Sequence, residues 1–492
     1  MMLFTFFVVS LIVFMVCAGT TPNYKGCLDE AAKGLPYCDE GLSLDERVDD
    51  LLDRLSLEEQ INSISPQPAL GDTCGDHTAG KPEIGLPDYF WLTETNTNVA
   101  ALCYTDKYKC PSTFVGPLGM GASFNRTSWG MKGSVLGTEM RAFHNLAWHR
   151  ANTGNLIGLT GFGPNLNIAR DPRFGRISEL PGEDPYHSGT YGYHMIEGMQ
   201  EKDDNGHPKM LAYLKHFTAY STETNRGHDT YNISMYDFWD TYLAQYEITF
   251  KANASGVMCS YDAENGVPSC ANDYILNQVI RGKFGQTNAL VTTDCGAVSN
   301  MLGAPANAPS PEHAAAWTIN NGTDIEMGST IWTDHMFNAT KIGLVSEKTV
   351  RTSARRAFRQ LFVAGRFDDS KNIAWSSLGV DDINTTFAQQ VVRESALQSM
   401  VLLKNDKKIL PLKRGSNIAV VGMFFVFVLL EHFSLSLSHT HTLLCIYLHK
   451  TGPMATNQDL MSDYAGGTGE SGYVVSFSSS IFTRVFISLR QR

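Results

Sequence analysis

Several apolar runs of this chain stop abruptly on residues that can do chemistry. Gly158 to Ala169 ends at Arg170-Asp171, Met210 to Leu214 at Lys215-His216, Gly256 to Ser260 at Tyr261, and Ala289 to Thr293 at Asp294. A carboxylate with cationic and phenolic neighbours suits hydrolysis of a glycosidic bond. The acid acts as nucleophile or stabilises an oxocarbenium-like transition state, and Arg and Lys donors hold sugar hydroxyls rigidly. Other chemistries lack their parts. There is no His-Glu-x-x-His, Cys-x-x-Cys, P-loop or Gly-x-Ser-x-Gly elbow, and His144 and His149 lie on different helix faces. No metal and no cofactor is expected. Gly161-Phe162-Gly163-Pro164 is too little to cradle a dinucleotide.

These residues must be positioned by something, and strands that end on polar groups suggest what. A (β/α)8 TIM-type barrel buries its strands and gathers its active site at their C-terminal ends. A doubly wound open sheet would give the same alternation. Ser43-Leu44-Asp45-Glu46 and Ser56-Leu57-Glu58-Glu59 are capping boxes that should start two helices ahead of the alternating region.

We expect an α/β chain divided into a signal at 1–18, a barrel at 19–370, a linker at 371–400 and an incomplete α/β sandwich domain at 401–492. In the last unit Val401 to Leu412 reads as a hairpin and Ile418 to Gly422 as a buried strand. The sequence then changes character. Met423 to Leu430 is wholly apolar yet too short to span a bilayer, which takes about 20 residues. Alternating Ser and Leu, then His and Thr, fill Ser434 to Thr442. Dinucleotide repeats read in threes encode such alternations, so 423–451 is expected to be a retained intron or gene-model error; the alternative is a genuine low-complexity loop. The stretch 471–492 looks equally unlike a domain end.

The chain carries 39 Lys+Arg and 50 Asp+Glu, a formal charge of −11, and no long basic run, which argues against a nucleic-acid or anionic-membrane binder. Hydrophobic residues make up 43%, enough for a large core. Leu3 to Val16 followed by Cys17-Ala18 fits a secretory h-region and cut, with a membrane anchor as the alternative. Acceptor sequons at Asn125, Asn232, Asn253, Asn321, Asn338 and Asn384 agree with secretion to the extracellular space. Among the cysteines, Cys27/Cys38 and Cys259/Cys270 are close enough in sequence to pair, although connectivity stays open.

Longer motifs add a family resemblance. Asn167 to Arg176 running on through Glu179 to Pro185, Lys215-His216-Phe217-Thr218-Ala219-Tyr220, Met258 to Tyr261 with Asn265 to Pro268, and Thr293-Asp294-Cys295 together resemble glycoside hydrolase family 3, above all its β-xylosidase branch. The likeness covers about residues 25 to 422 and resumes at Gly452-Pro453, on either side of the Ser-Leu/His-Thr tract.

The resemblance implies a secreted retaining β-glycosidase that transfers terminal β-D-xylosyl, or β-D-glucosyl, residues of a β-linked oligo- or polysaccharide to water. Asp294 matches the nucleophile. Lys215 and His216 match a pair that binds sugar hydroxyls, Arg170 and Arg226 match sugar-binding arginines, and Tyr261 matches the tyrosine beside the nucleophile. Arg173 and Arg176 compete with Arg170 for that role. Glu94 matches the acid that holds the far hydroxyls, but Thr95-Asn96-Thr97-Asn98 replaces the usual Ala-Leu-His-Gly, so the outer part of the subsite is expected to differ. The family's acid/base is a Glu beyond the end of this chain, and Glu470 fits no such motif. One branch uses a His-Asp pair instead, for which His228-Asp229 is the candidate. Without an acid/base the chain should be weakly active, or a carbohydrate-binding pseudoenzyme, because removing a general acid costs about 10²–10⁴-fold.

Overall fold

The computed structural model describes residues 26–67, 74, 76–104, 109–150 and 155–415, with the backbone of Ala419–Val421 and Phe486–Ser488. The expected signal and the tract 423–451 lie outside the described residues.

Both capping boxes form. Ser43 opens α1 (Leu44–Asp53) and Ser56 opens α2 (Leu57–Ser63), each hydroxyl accepting from the glutamate N–H three residues on while that glutamate reaches back. Val48, Leu51 and Leu52 of α1 are buried at helical spacing.

Four short parallel strands form the centre: β1 (Thr160–Asn165), β2 (Leu211–Phe217), β3 (Gly256–Cys259) and β4 (Leu290–Thr293), side by side in that order and buried throughout. They coincide with the four runs that end on polar residues. Parallel bridges extend the sheet at both edges, from Phe162 to Glu94 and from Thr292 to Ile325, and Glu326 N–H donates to Ile64 O at 3.1 Å. Burial on both faces explains why the strands read as continuous apolar runs.

Parallel neighbours need crossovers, and helices supply them. The helix α3 (Arg126–Asn145) packs on α4 (Pro185–Met199), the crossover from β1 to β2. In turn α4 packs on α5 (Ala244–Phe250), which leads from β2 to β3. After β4 come α6 (Pro311–Asn320), α7 (Ile331–Lys341) and α8 (Glu347–Val363), the last lying on α1. Residues 371–400 carry α9 (Thr386–Gln398), which packs on α3 through Ala388, Val391, Val392 and Ala396.

The expected hairpin over Val401 to Leu412 does not form. The segment turns at Asp406-Lys407 but makes no ladder, and Leu403 is 91% exposed. An isolated two-stranded hairpin is marginal without a partner surface.

Gly256 shows how closely the strands approach. A Cβ there would lie 2.1 Å from Leu290 O and 2.9 Å from the Tyr213 ring. Gly256→Ala should therefore lower stability by about 1–3 kcal/mol, read as a reduced melting temperature; an unchanged one would contradict this approach.

Buried carboxyls tie the layers together. Glu139 of α3 accepts from Ser112 N at 2.8 Å, Ser112 Oγ at 2.7 Å and Asn384 N at 2.9 Å. Burial pushes it up to about 7 from 4.5. A carboxyl raised in the folded state contributes stability that is present below pH 4.5 and lost as pH rises through about 7. Buried His144 and His216, both held well below 6.5, act in the opposite sense at lower pH. The clean reading is thus a difference. The melting temperature of Glu139→Gln relative to the parent should rise steadily between pH 5 and 8, and a flat difference would refute the assignment.

Candidate active site

The C-terminal ends of the strands converge on one cluster. β4 delivers Asp294, which is 7% exposed and whose Oδ1 accepts from Cys295 N–H at 2.7 Å. Burial raises its pKa; Arg176, the Cys295 N–H, Tyr261 and Arg226 all oppose that by favouring the carboxylate. β2 delivers Lys215 and His216. Lys215 Nζ reaches Glu94 Oε2 at 2.5 Å, across the bridge between Glu94 and β1. His216 Nε2 lies 3.7 Å from Asp294 Oδ2.

The protonation of His216 follows from its neighbour Asn167. The Asn167 amide donates to His216 O at 2.7 Å, and its Oδ1 accepts from His216 N at 2.9 Å, which fixes which end is oxygen. That same Oδ1 lies 3.1 Å from His216 Nδ1, so Nδ1 carries the proton. Burial, with Arg176, Lys215 and Arg226 nearby, keeps the ring neutral. Nε2 therefore presents a lone pair toward a carboxylate oxygen. Two acceptors facing each other across 3.7 Å are complementary to a hydroxyl-rich ligand that can donate to both.

Arginines complete the wall. Arg226 lies over the Tyr261 ring at 4.5 Å and donates to Tyr220 Oη at 2.9 Å. Tyr261 donates to Cys295 O at 2.8 Å. Of the three arginines that compete on the loop after β1, Arg170 and Arg173 are exposed, with Arg173 paired to Asp171. Arg176 is the buried one. It bonds Glu179 at 2.8 Å and Tyr220 Oη at 3.2 Å, and its charge acts on Asp294, His216 and Glu94.

One sequence expectation is corrected. His228 and Asp229 do not pair: His228 donates to Ala304 O at 2.9 Å, and Asp229 accepts from Asn225 at 2.6 Å. The local turn turns these two side chains toward different partners. Thr95 to Asn98, which replace Ala-Leu-His-Gly beside Glu94, are buried. Asn96 accepts from Asn165 N at 3.1 Å, donates to Glu179 O at 3.2 Å and receives the buried Lys132 Nζ on its carbonyl at 2.8 Å. These bonds lock the segment after Glu94 against β1. Among the described residues, no group of three or more His, Cys, Asp or Glu could hold a metal ion.

A cluster of cationic, imidazole and phenolic groups around a buried carboxylate at the ends of parallel strands defines a class, and comparison with known proteins identifies it. Residues 113–360 match the family described as Glycosyl hydrolase family 3 N terminal domain, and the chain belongs to glycosyl hydrolase family 3. It is 33% identical over 444 residues to a probable exo-1,4-beta-xylosidase of Aspergillus terreus, covering 88% of this chain and 55% of that protein. It is 34% identical over 400 residues to a beta-xylosidase/alpha-L-arabinofuranosidase of Medicago sativa subsp. varia, covering 78% and 49%. A solved family 3 exo-beta-xylosidase, in complex with a xylobiose aziridine activity-based probe, has a TM-score of 0.73 at 29% identity, covering 82% of this chain and 50% of that one. The chain spans about half the length of the curated relatives it matches.

Proposed function

We propose that this chain is the nucleophile-bearing part of a secreted, retaining β-glycosidase acting on terminal β-D-xylosyl residues, with β-D-glucosyl residues as the second choice. One observation carries the reading: the Asp294 carboxylate faces the neutral acceptor His216 Nε2 at 3.7 Å. Sugar hydroxyls bridge the acceptors, Lys215 donates and Glu94 accepts at the far side, and Arg226 and Arg170 serve the rim. Asp294 attacks the anomeric carbon as the glycosidic oxygen departs, forming a glycosyl-enzyme that water then opens with overall retention. No cofactor enters.

The sheet is read as a (β/α)8 barrel over 19–370, supported by the bridges at both of its edges and the Glu326–Ile64 hydrogen bond. Residues 401–492 are assigned to a separate sandwich unit. Secretion is supported by the disulfides Cys27–Cys38, Cys74–Cys295, Cys103–Cys110 and Cys259–Cys270. The exposed sequons Asn232, Asn253 and Asn338 agree with it.

The names of the relatives favour xylose. Turnover of 2,4-dinitrophenyl β-xyloside and β-glucoside tests this, because so good a leaving group departs without a general acid. The xyloside should be favoured in kcat/KM by about tenfold or more, the discrimination a pocket exerts over one extra carbon group. Equal or reversed values would overturn the substrate assignment.

A further inference from the structure

The peptide after Asp294 is held from three sides. Toward the segment that follows the Ile325 bridge, Gly296 N–H donates to Met327 O at 2.8 Å, and Gly328 lies so close that a Cβ there would fall 2.7 Å from Cys295 Cα. On a second side, Tyr261 Oη donates to Cys295 O. On the third, Cys295 Sγ is bonded to Cys74, 221 residues away in sequence. The N–H of this same Cys295 donates to Asp294 Oδ1. The disulfide thus anchors the residue whose backbone holds both the carboxylate and the tyrosine.

We infer that Cys74–Cys295 is a positioning element of the site: it fixes the Asp294–Cys295 peptide, so that the attack by Asp294 depends on the oxidation state of this bridge. The inference rests on the glycosidase reading above. Cys295 is only partly buried, which leaves the bridge open to a small dithiol. Reduction proceeds by two exchanges. One dithiol thiolate attacks a bridge sulfur, forming a mixed disulfide and releasing one cysteine. The second thiolate then closes the dithiol into a cyclic disulfide and releases the other cysteine, and the released thiolates take up the two protons that the dithiol loses.

The test follows covalent labelling of Asp294 by 2,4-dinitrophenyl 2-deoxy-2-fluoro-β-xyloside, whose trapped glycosyl-enzyme is read by mass spectrometry. Cys74→Ser should slow labelling about ten- to a hundredfold, the scale of a misplaced reacting group. It should also move the acid limb of the labelling-rate profile to higher pH, because the Cys295 N–H no longer holds the carboxylate ionised. A purely structural bridge would not move that limb. Cys27→Ser/Cys38→Ser, which opens a bridge outside the cluster, should label within twofold of the parent. Equal rate and equal acid limb in folded Cys74→Ser would overturn the inference. If that variant fails to fold, dithiothreitol titration of the oxidised parent replaces it. Loss of labelling that tracks release of the Cys74 and Cys295 thiols, and returns on reoxidation, supports the inference; full labelling with both thiols free overturns it. An oxidised parent that takes no label at Asp294 would instead defeat the glycosidase reading itself.

Discussion

Asp294→Ala is expected to lower hydrolysis of 2,4-dinitrophenyl β-xyloside by about 10⁴-fold or more, to near background. The magnitude follows from what is lost. No other group on the end of β4 can form the covalent bond, and the remaining donors only hold the sugar. Affinity for a non-hydrolysable xylo-oligosaccharide, measured by calorimetry, should stay within a few-fold, because Lys215, Glu94 and His216 keep their places. The two readouts separate the enzyme from a pseudoenzyme that only binds: in a binder, the parent itself would turn over nothing. A variant that kept substantial turnover would remove Asp294 from the mechanism.

The second large effect concerns Lys215, which is 1% exposed and bonded to Glu94. In Lys215→Met the Glu94 carboxylate, whose side chain is 16% exposed, keeps its place but loses its cation. Breaking one half of a fully buried pair costs about 3–5 kcal/mol; with Glu94 partly exposed the loss should lie at or below the lower end of that range, so the melting temperature should fall and kcat/KM drop by about 10²–10³-fold. The double variant Glu94→Gln/Lys215→Met removes the stranded charge. It should recover much of the stability and none of the activity, and the coupling between the two positions is then read directly from the cycle. Additive losses in both measurements would mean that the 2.5 Å contact carries no energy.

Much of this was legible in the residues themselves. Each of the four buried runs became a parallel strand, because a strand covered on both faces must be apolar along its whole length and can be polar only where it ends. That is why Lys215-His216, Tyr261 and Asp294 could be picked out together. The cap boxes at Ser43 and Ser56 were equally plain, since their signals lie within three residues.

What the sequence withheld was long-range. Cys74 and Cys295 stand 221 residues apart, and nothing local marks them as partners, whereas Cys27–Cys38 and Cys259–Cys270 close loops short enough to suggest themselves. The choice of Arg176 over Arg170 depended on which side of one loop turns inward. Asn167 gave no signal, because its role is to orient His216 through three hydrogen bonds that exist only once β1 and β2 are paired. His228-Asp229 misled for the converse reason: adjacency in sequence does not make two side chains face each other.

The most direct test of the account is to incubate the oxidised 492-residue chain with 2,4-dinitrophenyl 2-deoxy-2-fluoro-β-xyloside, digest it and locate the added mass. The account predicts a single covalent fluoroxylosyl group on the peptide containing Thr293-Asp294-Cys295, assigned to Asp294 and absent from Asp294→Ala. A label on any other carboxylate, or no label from a chain that binds the sugar, would contradict it.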